Sequence, residues 1–117
     1  MTHSELKKAI TNMLMQAGAL VLQINSGAAR VDDRYVTFVT WFADNETGTR
    51  GVFDIVALVP APGGPLMLAV DAKTTGYARA NKAQVEFGKR WVARGGTAII
   101  TQDIKDVQDF LRRHNVI

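Results

Sequence analysis

The chain has 117 residues, 47% of them apolar, which is enough for one domain with a single core but too few for two. It contains no cysteine, which excludes disulfides and thiolate zinc sites. The sequence shows no apolar run long enough to span a membrane and no signal-peptide pattern. We therefore expect a single cytoplasmic domain over 1–117. The formal net charge of +3 permits a nucleic-acid partner without requiring one.

Hydrophobic periodicity and turn signals divide the chain into helices and strands. The first helix carries apolar residues at helical spacing and ends at a glycine, whereas the strands are rich in β-branched and aromatic residues. In chain order the patterns predict a helix at 4–17, strands at 19–24 and 35–42, a turn at 44–48, strands at 51–60 and 65–73, a helix at 79–94, a strand at 97–101 and a helix at 103–113. The predicted fold class is α/β, with a central mixed β-sheet that contains a β-hairpin and is flanked by helices.

The strands at 51–60 and 65–73 are joined by a loop at 61–64 and are predicted to form the hairpin. With this loop at the centre of the turn, Asp54 faces Asp71. Directly opposed side chains have Cβ atoms about 4.5–5.5 Å apart, and like charges there repel. A folded protein therefore needs a proton or a cation between the two carboxylates, and a divalent metal is the candidate.

Three further residues belong to this predicted site. Side chains alternate along a strand, so Lys73 shares the face of Asp71, while Ala72 turns away and leaves its carbonyl near the carboxylates. In the helix at 79–94, Gln84 lies on the apolar stripe. Because a buried amide needs hydrogen-bond partners, we expect Gln84 to point at the carboxylate site.

The same helix is the most basic element of the chain. Its positive residues lie outside the apolar stripe, where they are free to meet phosphate groups. They are Arg79, Lys82, Lys89, Arg90 and Arg94. We predict that Lys82, Lys89 and Arg90 contact a nucleic-acid backbone.

Together, in this order along the chain, these motifs resemble the PD-(D/E)XK nuclease superfamily, and within it the small stand-alone VRR-NUC domains. The residues that carry the resemblance are Glu5, Asn25, Gly27, Gly51, Asp54, Asp71-Ala72-Lys73, Gln84 and the strand segment 95–101. Two positions depart from the family pattern, since Phe53 replaces the usual proline and Asp71 replaces the usual glutamate. The resemblance implies a restriction-endonuclease-like core.

It also implies a metal-dependent endonuclease that hydrolyses DNA phosphodiesters with Mg²⁺ or Mn²⁺. Asp54, Asp71 and the Ala72 carbonyl would hold the metal, and Glu5 would complete its shell, directly or through water. Lys73 would orient the attacking water or stabilise the transition-state oxyanions. Small nucleases of this kind often act as homodimers on branched DNA, so the resemblance implies a homodimer, and the favoured substrate is a four-way junction.

The role of Gln84 follows from the same resemblance, which implies that it would orient a ligand or touch the nucleic-acid backbone. On turn chemistry alone, Asn25-Ser26-Gly27 is typical of a tight turn, and a phosphate contact by Asn25 and Ser26 is the alternative.

Ordinary structural interpretations remain open for the other site residues. Asp71 and Lys73 also fit a strand-end ion pair, and Asp54 fits a solvent-exposed residue at the start of a strand. Thr2 with Glu5 fits a helix capping box. For the whole chain, the alternatives are a catalytically silent nucleic-acid-binding domain on the same fold and a flap- or restriction-type nuclease.

The remaining predictions concern the two histidines and the aromatic residues. His3 and His114 show no ligand or acid-base spacing and are predicted to be surface residues. Trp91 is predicted to be core. The aromatic strand at 35–42 fits either the core or a subunit interface formed by Val36, Phe38, Thr40 and Phe42.

Overall fold

A computed structural model of the protein describes residues 1–24, 27–38, 41–45, 48–74 and 82–117, with the backbone alone for 27–31, 35–38, 41 and 48–50. The elements in these ranges are α1 (His3–Gln16), β1 (Leu20–Gln23), β2 (Gly27–Val31), β3 (Arg34–Phe38), β4 (Trp41–Ala43), β5 (Gly48–Arg50), β6 (Ile55–Val59), β7 (Leu66–Ala72), α2 (Lys82–Ala93), β8 (Thr97–Thr101) and α3 (Ile104–Arg113). None of the helices in these ranges is long and apolar enough to cross a membrane.

Four strands form the central sheet, in the order β1-β6-β7-β8. β6 and β7 form an antiparallel hairpin, β1 pairs with β6 antiparallel, and β8 pairs with β7 parallel. In the described part of the chain, β2 with β3 and β4 with β5 form two separate two-stranded sheets. The predicted α/β class, with a mixed sheet that contains a hairpin and is flanked by helices, is confirmed.

The register of the hairpin is the one that the sequence predicts. Leu58 lies opposite Met67, and Ile55 lies opposite Val70 at the end of the ladder. Asp54 and Asp71 are the next facing positions, so the two carboxylates lie on adjacent strands at one end of the sheet. The strands themselves are shorter than predicted, because pairing begins only at Ile55.

The helices cover the two faces of the sheet separately. On one face, α1 and α3 bury their apolar stripes in the larger core, which contains Leu6, Ile10, Leu14, Val107, Phe110 and Leu111. On the other face, α2 packs Phe87 against Phe53 and Ala69, and the partly buried Trp91 packs against this smaller core, so the prediction of a core Trp91 holds only in part. The apolar stripes of α1, α2 and α3 all follow the helical period, so the periodicity of the sequence locates them.

The segment that leads into Asp54 is held tightly against α2. Gly51 has a φ of +108°, and a Cβ placed there would lie 2.7 Å from the Cβ of Ala83. Phe53 is fully buried, and its ring reaches within 3.3 Å of where a Cβ on Gly88 would be. Two glycines thus permit the close approach that fixes the position of Asp54 relative to α2.

Two of the short strands are not in the sequence-based prediction. β2 contains glycine and alanine, which have low strand propensity, and it forms by pairing with β3 across a two-residue turn at Asp32 and Asp33. Asp32 adopts a φ of +55°, a conformation that aspartate tolerates better than most residues. β5 was likewise not predicted, and the single strand predicted at 35–42 corresponds to β3 and β4, with 39–40 outside the described residues.

Candidate metal centre

The Asp54 and Asp71 carboxylates each accept a hydrogen bond from a backbone amide of the opposite strand. The Asp54 amide donates to Asp71 Oδ1 at 3.2 Å, and the Ala72 amide donates to Asp54 Oδ2 at 3.1 Å. The Asp71 side chain is completely buried, whereas that of Asp54 is 22% exposed. The end of the hairpin therefore holds one carboxylate in the interior and presents the other towards solvent. The Ala72 side chain points to the opposite face, into the larger core.

Lys73 and Gln84 complete a closed cluster around Asp71. The Lys73 ammonium lies 2.7 Å from Asp71 Oδ2 and donates to Gln84 Oε1 at 2.9 Å. Gln84 Nε2 in turn donates to Asp71 Oδ1 at 3.1 Å. The prediction that the buried amide of α2 points at the carboxylates is confirmed, and so is the shared face of Asp71 and Lys73.

The charge on Asp71 is only partly compensated. Burial is the main cause that raises the pKa of the Asp71 carboxyl, and the negative charge of Asp54 raises it further, against the lowering effect of Lys73. Asp71 Oδ2 is buried, and among the described residues its partner is the Lys73 ammonium, 2.7 Å away. A buried carboxylate oxygen in this state, beside a second carboxylate, suits a hard divalent cation.

Glu5 forms a capping box with Thr2 at the start of α1, which is the structural role that the sequence left open. It is the third residue of α1, its amide donates to the Thr2 hydroxyl at 3.1 Å, and its carboxylate accepts from the Thr2 amide at 3.2 Å. Hydrogen bonds that the Glu5 carboxylate accepts from Thr2, first from its side chain and then from its backbone, hold the pKa of the Glu5 carboxyl below its usual range. The capping box is confirmed, and the role of Glu5 as a metal ligand stays a prediction.

Sequence reasoning missed His3. Its side chain is 46% exposed, as predicted for a surface residue, but its Nε2 lies 3.2 Å from Asp54 Oδ2. The two residues are 51 positions apart, so no local spacing reveals the contact. Only the packing of α1 across the end of β6 brings the imidazole to the carboxylate.

Arg90 is engaged in an ion-pair cluster that joins β4 to α2. Its guanidinium contacts Asp44 at 2.9 Å and Glu86 at 3.0 Å, and it lies over the ring of Phe42 at 5.6 Å from the centroid. Arg94 adds a second contact to Asp44 at 3.1 Å. The structure thus gives Arg90 a stabilising role, and a phosphate would compete with two carboxylates for it.

The other predicted nucleic-acid contacts divide into two groups. Lys82 and Lys89 are exposed on α2, and Lys89 lines the same open groove between α2 and β8 as Gln84. Asn25 and Ser26 lie outside the described residues. In the described ranges, no cluster of three or more histidine, aspartate or glutamate side chains is already gathered around a common metal position.

Comparison with known proteins adds no assignment to this geometry. No family model matches the chain, and neither a curated protein nor a solved structure matches it.

Asp54→Asn is expected to make the metal-free protein slightly more stable at neutral pH, by up to about 1 kcal/mol. The pKa of Asp71 is raised on folding, so its ionised form opposes folding above that pKa, and the opposition disappears below the unfolded value of about 4. Removing the charge of Asp54 relieves part of this opposition. Urea denaturation in EDTA should show the gain at pH 7 and its loss towards pH 3.5.

Asp109→Asn is the matched control, because Asp109 is an exposed carboxylate on α3, across the sheet from the site. Its stability should follow the wild type at both pH values. A lower stability of Asp54→Asn in EDTA at neutral pH would contradict the repulsion between the facing carboxylates.

Proposed function

We propose that this protein is a metal-dependent endodeoxyribonuclease of the PD-(D/E)XK type, similar to the small VRR-NUC domains. One observation carries the proposal: a fully buried Asp71 faces Asp54 and is joined to Lys73 and Gln84 in one closed cluster. Two facing carboxylates with an ammonium beside them are the groups that metal-assisted phosphodiester hydrolysis needs.

The donor set fits Mg²⁺ or Mn²⁺. Both ions take carboxylate and carbonyl oxygens, and they keep several waters in their coordination shell. Asp54 and Asp71 would supply the carboxylates, the Ala72 carbonyl a third oxygen, and Glu5 a contact through water. When bound, the ion supplies a water of lowered pKa and positive charge at the phosphate.

Lys73 and Gln84 have different roles in this proposal. The Lys73 side chain is only 18% exposed, and its ammonium would orient the attacking water or stabilise the phosphate oxygens that gain negative charge. Gln84 holds both Lys73 and Asp71 through its amide, so it acts as a positioning residue. A nuclease needs this rigidity because small misplacements of reacting groups cost large factors in rate.

The energetics favour an enzyme over a silent binding domain. A purely structural ion pair requires only Asp71 and Lys73. Asp54 adds repulsion to an already buried charge, which raises the pKa of Asp71 and opposes folding. Residues that conflict with stability in this way are expected at functional sites.

We further propose that the enzyme acts in the cytoplasm as a homodimer on branched DNA, with the four-way junction as its substrate. Resolution of a junction needs two cuts related by two-fold symmetry, and a closed dimer supplies two metal sites in that relation.

Cleavage should require divalent metal and the Asp54 carboxylate. We expect Mg²⁺ or Mn²⁺ to support cleavage of a four-way junction in preference to matched linear, single-stranded and flap DNAs, and EDTA to abolish it. Asp54→Asn should reduce the rate more than about 100-fold, because even groups that act on a metal through another ligand contribute 10–100-fold. Gel assays with labelled substrates measure both effects.

Asp109→Asn should cut at the wild-type rate, and circular dichroism should show Asp54→Asn folded. Undiminished turnover by Asp54→Asn would refute the assignment. Lys73→Ala is the weaker variant for this test, because it leaves the buried Asp71 without its counter-ion and should destabilise the fold.

DNA binding should depend on the lysines of α2. The Lys82→Ala/Lys89→Ala double variant is expected to weaken binding to all sequences alike and to reduce the slope of log K against log salt by about 0.9 per lost contact. Fluorescence anisotropy in EDTA measures this slope. Lys8→Ala/Lys105→Ala, which removes exposed lysines from α1 and α3, should leave it unchanged. Equal slopes in all three proteins would place the DNA on another surface.

The dimer should form through an exposed apolar row on the central sheet. Leu20, Leu58 and Met67 lie side by side across three strands and are 67%, 44% and 43% exposed. Light scattering should report about twice the chain mass of 12.8 kDa, and Leu58→Glu should return it to one chain mass. Met15→Glu, at an exposed position on α1, should stay dimeric.

A monomeric wild type at every concentration would refute the dimer. In the aromatic strand at 35–42, the side chains of 35–41 lie outside the described part of the structure. Phe42 packs inward, with its ring 5.4 Å from that of Phe87, so it is not a free interface residue.

A further inference from the structure

The contact between His3 and Asp54 has the spacing of two neighbouring metal ligands. His3 Nε2 and Asp54 Oδ2 are 3.2 Å apart. Two donors that bind one ion at about 2.1 Å and at right angles lie about 3.0 Å from each other. A shift of a few tenths of an ångström would therefore let one octahedral ion bind both atoms.

Stability alone gives little reason for this contact. The His3 side chain is 46% exposed and that of Asp54 is 22% exposed, and pairs near the surface contribute little to folding. Asp54 already has a backbone partner in the Ala72 amide. The nearby Glu5 carboxylate is held in the capping box, so His3 is the side chain of the α1 N-terminus that meets the carboxylates.

The parts of the site differ in their freedom to adjust. Asp71 is fully buried and fixed by Asp54, Lys73 and Gln84. In the described ranges His3, Asp54 and Asp71 are not yet gathered around one point, so a bound ion must draw them together. His3 is the first residue of α1 and half exposed, so its imidazole can make that movement without disturbing the core.

We propose that His3 is a nitrogen ligand of the metal centre and that it shifts the preference of the site from Mg²⁺ to Mn²⁺. This inference rests on the proposed function, because it assumes that Asp54 and Asp71 hold a metal. Imidazole suits divalent transition ions, whereas Mg²⁺ prefers oxygen donors and dehydrates reluctantly. A site with one imidazole and two carboxylates therefore binds Mn²⁺ more tightly than Mg²⁺.

The test measures metal binding rather than cleavage. Mn²⁺ is titrated into the untagged 117-residue chain and the free ion is counted by electron paramagnetic resonance, with Mg²⁺ affinity measured by displacement. Pulsed measurements on bound Mn²⁺ should show coupling to an imidazole nitrogen. His3→Ala should lose this coupling, weaken Mn²⁺ binding at least about tenfold, and weaken Mg²⁺ binding less.

Two variants sharpen the result. His114→Ala removes the other histidine, which is exposed and packs beside Phe110, and it should retain both the affinity and the nitrogen signal. His3→Gln keeps a hydrogen-bonding group at the position but loses the imidazole, so it should behave like His3→Ala if the role is ligation.

Other outcomes overturn the inference in distinguishable ways. If wild-type Mn²⁺ shows no nitrogen coupling, or His3→Gln binds Mn²⁺ as the wild type does, His3 is not a ligand. The metal centre still stands in that case, provided that Asp54→Asn loses Mn²⁺ binding. If the wild type does not bind Mn²⁺, or Asp54→Asn binds it equally well, both the inference and the proposed function fail.

Discussion

The buried charge of Asp71 is the constraint on which the candidate site depends. An ionised carboxylate with no exposure needs compensation, and the chain supplies it from two directions. Lys73, on the same strand, brings a positive charge to Oδ2, and Gln84, from α2, donates to Oδ1. This compensation is incomplete, because burial raises the pKa of the Asp71 carboxyl and the negative charge of Asp54 at the same end of the sheet raises it further.

The two cores determine where these groups meet. One core fixes α1 against the sheet, which brings His3 to the end of β6. The other fixes α2 through Phe87 and Phe53, so that Gln84 reaches the carboxylates from the opposite face. The hairpin lies between both helices. The site is therefore assembled by three elements that pack independently, and a change in either core would be felt as a change in its geometry.

How much the sequence predicts depends on the range of each interaction. The register that opposes Asp54 to Asp71 follows from the loop length, and the inward Gln84 follows from helical periodicity, so both were predictable. The contact of His3 with Asp54 and the pairing of Arg90 with Asp44 join residues that are distant in sequence. They depend on how helices cross the sheet, which local spacing does not encode. The fold class is likewise set by local patterns, whereas β2 arises only from its pairing with β3.

The charge balance of the cluster explains why a lysine fits this position better than an apolar residue. Two carboxylates and one ammonium give the cluster of Asp54, Asp71 and Lys73 a formal charge of −1, which repels a phosphodiester. A divalent ion held by the same carboxylates would change that charge to +1 and make the cluster attractive to phosphate. Without Lys73 the same ion would only neutralise the carboxylates. The Lys73 ammonium thus contributes with and without the metal. Without the ion it offsets the buried charge of Asp71, and with the ion it would provide the excess of positive charge that attracts phosphate.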